Sequence, residues 1–107
     1  MSSFIYIISN GTDFKVGFSK DPKRRVKQLQ TGNPLKLELK HTVQIEEAPV
    51  HILEKIMHHI LKNKHMSGEW FSADLEEIKS LLGYVKIRYD NEETERDYKL
   101  NLLNWDF

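Results

Sequence analysis

Two short segments near the N-terminus show the apolar pattern of a β-hairpin. Residues 4–8 (Phe-Ile-Tyr-Ile-Ile) are rich in strand-forming side chains, and residues 14–18 (Phe-Lys-Val-Gly-Phe) carry apolar side chains at alternate positions. Residues 9–13 between them (Ser-Asn-Gly-Thr-Asp) have the composition of a turn. The pattern predicts two antiparallel strands joined by a short connection.

Apolar side chains recur at helical spacing in two further segments. A first helix is expected from Pro22 to about Thr31, with Asp21 as its N-cap and residues 32–34 (Gly-Asn-Pro) as its end. A longer helix is expected over residues 47–63, where one apolar face runs along the segment. That face consists of Ile52, Leu53, Ile56, Met57 and Ile60.

Shorter signals complete the chain up to residue 83. Residues 37–45 alternate well enough for a third strand, and residues 68–71 (Gly-Glu-Trp-Phe) form a short extended piece. A last helix, capped by Ser72 or Asp74, is expected to end at Gly83.

The order of these elements, β-β-α-β-α-α, predicts an α+β fold. We expect a small, mainly antiparallel three-stranded sheet flanked by helices, followed by a C-terminal strand over residues 84–89. Residues 1–83 would form the main unit, and residues 84–107 would be a C-terminal extension of the same single domain.

Length and composition narrow the class of protein. A chain of 107 residues suits one domain with one core. The absence of cysteine excludes disulfides, thiolate zinc sites and a cysteine nucleophile. No apolar run approaches the ~18 residues of a membrane span, and no signal peptide is evident. We therefore expect a cytoplasmic protein without a membrane partner.

The formal net charge of zero conceals a gradient along the chain. Residues 1–45 hold eight Lys and Arg against three Asp and Glu, whereas residues 46–107 hold eight against thirteen. The basic excess is concentrated in Lys15, Lys20, Lys23, Arg24, Arg25 and Lys27. Such a patch can meet a polyanion, although an ordinary solvated helix would have the same composition.

Polar residues on the longer helix could form a metal-binding or proton-transfer site. At helical spacing, His51, Glu54, His58 and Lys62 share one face opposite the apolar one. A carboxylate flanked by two imidazoles can hold a metal ion or move a proton. The alternative is the polar outer stripe of an ordinary amphipathic helix.

The hairpin and its helix form a second constellation. Tyr6 of the first strand, Lys15 and Gly17 of the second, and Arg25 of the helix can converge on one face of the sheet. Gly17 permits a close approach of the backbone, and the Arg25 guanidinium can bind a phosphate through two donors. Each residue taken alone has an ordinary structural explanation.

In this order the residues resemble the GIY-YIG nuclease superfamily. The matching pieces are Phe4-Ile5-Tyr6, Lys15-Val16-Gly17, an arginine eight residues after that glycine (Arg25), a helix bearing Glu54, and Gly68-Glu69-Trp70-Phe71. The last motif is similar to a compact branch common in phages and bacteria. The likeness covers roughly residues 3–72, and residues 1–83 would be the nuclease domain.

The resemblance implies a metal-dependent endonuclease that hydrolyses nucleic acid, with DNA favoured over RNA, in the cytoplasm of a bacterium or phage-infected cell. Tyr6 would activate or orient water, Arg25 would stabilise the phosphate, and Glu54 would bind one Mg²⁺ or Mn²⁺ ion. The surrounding cations would contact phosphates of the nucleic acid. They are Lys20, Lys23, Arg24 and Lys27.

The sequence departs from the superfamily pattern at three positions. Phe4 replaces a glycine, which changes no reacting group. Lys15 replaces a tyrosine, and its ammonium would lower the pKa of Tyr6. Leu29 stands where many members have a histidine or tyrosine, so we expect His58 to take over the proton relay.

Two other classes of function stay open. Leu29 and the acidic C-terminal part are also consistent with a non-catalytic nucleic-acid-binding or regulatory module that retains the fold. A third hypothesis is a protein-interaction domain that forms a homodimer through residues 84–107.

Overall fold

A five-stranded antiparallel sheet lies at the centre of the computed structural model, which describes residues 3–45 and 50–90. The strands are arranged in the order β3-β1-β2-β5-β4. They span β1 Ser3–Ser9, β2 Phe14–Ser19, β3 Glu38–Ile45, β4 His65–Ser67 and β5 Trp70–Phe71.

Three α-helices accompany the sheet in the described residues. They are α1 Pro22–Gln30, α2 Val50–Ile60 and α3 Leu75–Asp90, and a short 3₁₀ turn, Lys62–Lys64, follows α2. The described helices include none with the length and apolar character needed to cross a bilayer.

The predicted hairpin and first helix are confirmed. Strands β1 and β2 pair in register with Tyr6 opposite Gly17. The turn between them is held by the Asn10 side chain, which accepts hydrogen bonds from the backbone N–H groups of Thr12 and Asp13. Asp21 caps α1 as expected, because its Oδ1 accepts a hydrogen bond from the Arg24 N–H at 3.2 Å.

The two faces of the sheet bury different sets of apolar side chains. On one face, β1 and β2 contribute Ile5, Ile7 and Val16 to a large core shared with α2 and α3. On the other face, Tyr6 and Ile8 form a smaller cluster. Its other members are Leu37, Val26, Leu29, Leu39 and Trp70. Since successive residues of a strand point to opposite faces, Lys15 and Gly17 lie on the Tyr6 side of β2.

The prediction of a three-stranded sheet is wrong in strand number. The extended piece at Trp70–Phe71 pairs with β2, placing Phe71 opposite Phe14 and Trp70 opposite Lys15. A further strand, β4, adds the sheet's edge. Strand β4 is only three residues long, all of them exposed, and has no alternating apolar pattern by which a sequence would reveal it.

The predicted end of the last helix is also wrong. Helix α3 continues through Gly83 to Asp90, so the strand expected over residues 84–89 is helical. Val85 is buried in the core together with Ile78 and Leu82, which continues the helical spacing beyond the glycine. The proposed boundary at residue 83 therefore falls inside a helix. Residues 91–107, which hold most of the predicted dimer contact, lie outside the described residues.

Helix α2 agrees with its prediction in type and buried face but is shorter at its C-terminal end. It ends at Ile60 and is followed by the 3₁₀ turn, whereas its predicted beginning, over residues 47–49, lies outside the described residues. Ile52, Leu53, Ile56 and Met57 are buried, as the pattern indicated.

The continuity of α3 through Gly83 predicts a stabilising substitution. The backbone of Gly83 does not adopt a positive φ, and a Cβ there would meet no atom within 4 Å. Gly83→Ala should raise the free energy of unfolding by about 0.5–1 kcal/mol, because alanine costs less backbone entropy in a helix. Chemical denaturation measures this change.

Gly32→Ala is the matched control, because Gly32 has a φ of 79° beyond the end of α1. That substitution should lower the free energy of unfolding by about 1 kcal/mol. A loss of stability in Gly83→Ala would show instead that the helix ends at residue 83.

Candidate active site

The Tyr6 side chain is fixed by a glycine on the neighbouring strand. Tyr6 is 1% exposed and its ring lies directly over Gly17, its partner in the β1–β2 register. A Cβ at residue 17 would stand 2.6 Å from the Tyr6 Cζ and would collide with the hydroxyl oxygen. Any other residue at position 17 would therefore displace the phenol.

Arg25 meets the Tyr6 hydroxyl from α1. Burial raises the pKa of Tyr6 above its ordinary value, and a hydrogen bond with the Arg25 side chain opposes this rise. Arg25 is half-buried and forms no ion pair with a carboxylate among the described residues. Its guanidinium is therefore held against a neutral phenol, and its charge is available to an anion from outside.

Lys15 does not act on Tyr6 as predicted. Its ammonium lies 2.7 Å from Oε2 of Glu69, and Lys15 itself is only 8% exposed. The pKa of Tyr6 is raised rather than lowered, chiefly by burial, and the charge of Glu69 raises it further. The prediction that Lys15 lowers this pKa is wrong, because the ammonium is paired with a neighbouring carboxylate.

Glu54 is a mostly buried carboxylate whose negative charge is only partly compensated by neighbouring lysines. Its side chain is 13% exposed, and burial, reinforced by the negative charge of Glu69, raises its pKa to about 7. The positive charges of Lys15 and Lys55 oppose this rise without cancelling it. A carboxylate that titrates near neutrality can exchange its proton for another cation.

His58 binds the backbone of β2. Its Nε2 lies 2.8 Å from the carbonyl oxygen of Val16 and 3.8 Å from Oε1 of Glu54. Because a carbonyl only accepts hydrogen bonds, Nε2 must carry the hydrogen, and it is not free to take up another proton or to bind a metal. The Val16 N–H donates to the carbonyl of Glu69 at 3.1 Å, so His58 and Glu69 together satisfy the backbone polar groups of Val16.

The four residues predicted to share a polar face of α2 differ in their exposure and in the element that carries them. His51 is exposed, and Lys62 lies in the 3₁₀ turn beyond the end of α2. Glu54 and His58 are mostly buried beside β2, so they do not belong to a solvent-exposed polar face of the helix.

The four cations predicted to contact nucleic acid lie on or just before α1. All of them are exposed, and none forms an ion pair with a described carboxylate. They are Lys20, Lys23, Arg24 and Lys27. By contrast, Leu29 on the same helix packs into the smaller apolar cluster and offers no polar group to the site.

The Glu54 carboxylate fits a hard divalent cation that keeps most of its water ligands. The described residues contain no group of three or more His, Asp or Glu side chains that could share a metal ion. Glu54 supplies carboxylate oxygens, and Mg²⁺ commonly binds to one or two carboxylates while keeping several waters. The unmatched negative charge at Glu54 is consistent with such an ion.

Glu69 is not among the site residues predicted from the sequence, although it belongs to the Gly-Glu-Trp-Phe motif. Its carboxylate pairs with Lys15, and its negative charge raises the pKa of both Tyr6 and Glu54. The signal was present in the Gly-Glu-Trp-Phe motif. Only the pairing of β5 with β2 shows which cation lies opposite it.

Comparison with known families finds a match that covers most of the chain. The model of a family described as the T5orf172 domain matches residues 3–86, a range that includes every residue of the site. T5orf172 is an endonuclease-associated domain related to GIY-YIG-like and phage nucleases. No curated protein and no solved structure matches the chain.

The close contact between Tyr6 and Gly17 predicts a specific coupling. Gly17→Ala should lower the free energy of unfolding by about 1–3 kcal/mol, because the new methyl group overpacks the site. The loss should be smaller when Tyr6→Phe is already present, since the nearest colliding atom is then missing. A double-mutant cycle by denaturation measures the coupling, and equal losses in both backgrounds would contradict the contact.

The raised pKa of Glu54 predicts a pH-dependent gain in stability for Glu54→Gln. The folded pKa of about 7 exceeds the ordinary 4.5, so the native state holds the proton more tightly than the unfolded chain. This contribution is complete below pH 4.5 and is lost as the pH rises through 7. We compare the free energy of unfolding of Glu54→Gln with that of wild type at each pH. The advantage of the variant should be larger at pH 8 than at pH 4.5 by about 2–3 kcal/mol.

Glu76→Gln serves as the control for this measurement, because the Glu76 side chain is 75% exposed on α3. It should show no comparable dependence on pH. A difference between Glu54→Gln and wild type that stays constant from pH 4.5 to pH 8 would contradict the raised pKa of Glu54.

Proposed function

The chain belongs to the T5orf172 domain family, and on this premise we propose that it is a metal-dependent endonuclease of the GIY-YIG type. Its substrate would be nucleic acid, DNA in preference to RNA. The observation that carries the proposal is the Tyr6 hydroxyl held over Gly17 and bonded by Arg25, with Glu54 close enough for its charge to influence the phenol. Phosphodiester hydrolysis needs a positioned water, neutralisation of the phosphate charge and help for the leaving oxygen.

Tyr6 would orient the attacking water. Its raised pKa keeps the phenol protonated near neutral pH, so its oxygen can accept a hydrogen bond from water while its own hydrogen is donated elsewhere. The fixed position over Gly17 supports this role, because orientation depends on a rigid group. A neutral phenol is better suited to orienting the attacking water than to removing a proton from it.

Arg25 and Lys15 would bind the phosphate. Arg25 has no carboxylate partner among the described residues, so its guanidinium can donate two hydrogen bonds to phosphate oxygens. Lys15 lies on the same face of β2 and has further N–H donors besides the one directed at Glu69. Arg25 beside Tyr6 and Lys15 on the same face of β2 would stabilise the negative charge that grows in the transition state.

Glu54 would hold the Mg²⁺ or Mn²⁺ ion. Bound there, the ion would supply positive charge to the phosphate and the leaving oxygen. The pKa of about 7 means that Glu54 must lose its proton to bind it, so occupancy should increase with pH in the neutral range. His58 would keep α2 against β2 through its bond to Val16, and its occupied Nε2 favours this positioning role over the proton relay expected from sequence.

The exposed cations around α1 would bind the flanking backbone. Lys23, Arg24 and Lys27 project from the helix that carries Arg25, and Lys20 precedes it. Phosphate contacts of this kind fix the orientation of a nucleic acid without reading its sequence.

A cleavage assay tests the proposal. The protein should nick plasmid DNA in Mg²⁺ or Mn²⁺, with single-stranded DNA and RNA of equal length as competing substrates. Glu54→Gln should reduce the rate by about 10²-fold or more through loss of the metal ligand, while Glu76→Gln should cleave like wild type. Equal cleavage by Glu54→Gln and wild type would refute the metal role of Glu54.

A non-catalytic nucleic-acid-binding module is the second candidate function. It is favoured by Leu29, which fills with apolar packing the position where a relay residue would stand. In that case the protein should bind DNA with a log–log salt slope of about −4 to −5, corresponding to about five phosphate contacts, but without turnover in any divalent ion. Salt-dependent binding combined with cleavage would reject this candidate.

A further inference from the structure

We propose that Glu69 is a positioning residue, whose ion pair with Lys15 holds the ammonium on the Tyr6 side of β2 and thereby leaves Glu54 available to a divalent cation. This inference rests on the proposed function. It assigns to Glu69 a task that is separate from binding the substrate or the metal.

The backbone around Glu69 is fixed from two directions. The carbonyl of Glu69 accepts a hydrogen bond from the Val16 N–H at 3.1 Å, which ties the residue to β2. The preceding Gly68 has a φ of 56°, and its carbonyl accepts a hydrogen bond from Nε2 of His65 at 2.7 Å. The Glu69 side chain therefore starts from a defined position beside Lys15.

Lys15 is equally constrained. It lies in the paired part of β2, opposite Trp70, and is almost completely buried. A buried ammonium requires an anionic partner, and Glu69 provides one at 2.7 Å. The direction of the long lysine side chain is thus decided by this carboxylate.

Glu54 is the competing partner for the same ammonium. Its Oε1 lies 3.8 Å from Nε2 of His58, which donates to the carbonyl of Val16 at 2.8 Å, so Glu54 lies beside the part of β2 that carries Lys15. If Glu69 were neutral, Lys15 would be left buried without its partner, and the attraction of Glu54 would draw the ammonium towards it. An ammonium on Glu54 would then repel and displace a divalent cation.

A direct metal-binding role for Glu69 is less consistent with the structure. Among the described residues, Glu54, His58 and Glu69 do not form a three-donor cluster. Oε2 of Glu69 is also occupied by the Lys15 ammonium. The remaining hydrogens of that ammonium would still be free to donate to phosphate oxygens.

Binding of Mn²⁺ to the full chain, measured by calorimetry at pH 8 without nucleic acid, tests the proposal. Glu69→Gln should weaken Mn²⁺ binding about tenfold, the scale of substitutions that disturb a ligand's surroundings. The double variant Lys15→Met/Glu69→Gln should bind within about threefold of wild type, because the displaced ammonium is gone. Glu38→Gln is the matched control, since it removes an exposed carboxylate that is paired with Lys40 at 2.9 Å.

A conservative variant protects the test against misfolding. Glu69→Asp keeps the charge and should retain Mn²⁺ binding within about threefold of wild type. Unchanged binding in Glu69→Gln would overturn the proposal, as would weakened binding that Lys15→Met fails to restore, since that pattern indicates a direct ligand. Both results leave the proposed function intact, whereas a wild-type protein that binds no Mn²⁺ would overturn both proposals.

Discussion

The arrangement of the site depends on the contact between the Tyr6 ring and Gly17. Antiparallel pairing places these residues opposite each other, and the missing Cβ of Gly17 leaves room for the phenol over β2. That position brings the hydroxyl within reach of Arg25 on α1. A hairpin register, a glycine and one helix are thus enough to orient the phenol and the guanidinium relative to each other.

The part of the site around Glu54 lowers the stability of the fold. Glu54 is buried near Glu69, and one ammonium, that of Lys15, acts on both carboxylates. His58 fixes α2 to the carbonyl of Val16, which prevents Glu54 from moving out into solvent. A domain that retains a poorly neutralised carboxylate gives up folding free energy, and functional sites are where such costs are found.

Local patterns were sufficient to predict the hairpin, α1 and the central part of α2. Asp21 and Pro22 define a helix start by their own chemistry, and the order of Tyr6, Gly17, Arg25 and Glu54 suggested the candidate site. The pairing of Lys15 with Glu69 could not be predicted, because it depends on which strand lies beside β2. Gly83 misled the prediction since a glycine ends a helix only where φ turns positive, and here the burial of Val85 continues the helix.

The proposed function requires that the carboxylate of Glu54 bind a divalent cation beside Tyr6 and Arg25. The most direct measurement is a titration of the ¹⁵N-labelled protein with substoichiometric Mn²⁺ at pH 8, followed by paramagnetic broadening of its amide signals. We predict that the signals of Glu54 and of the neighbouring part of β2 around Gly17 disappear first, and that Glu54→Gln abolishes this selectivity. Broadening that begins instead at the acidic residues Glu76 and Glu77 in the first turn of α3, or that is identical in Glu54→Gln, would contradict metal binding at Glu54.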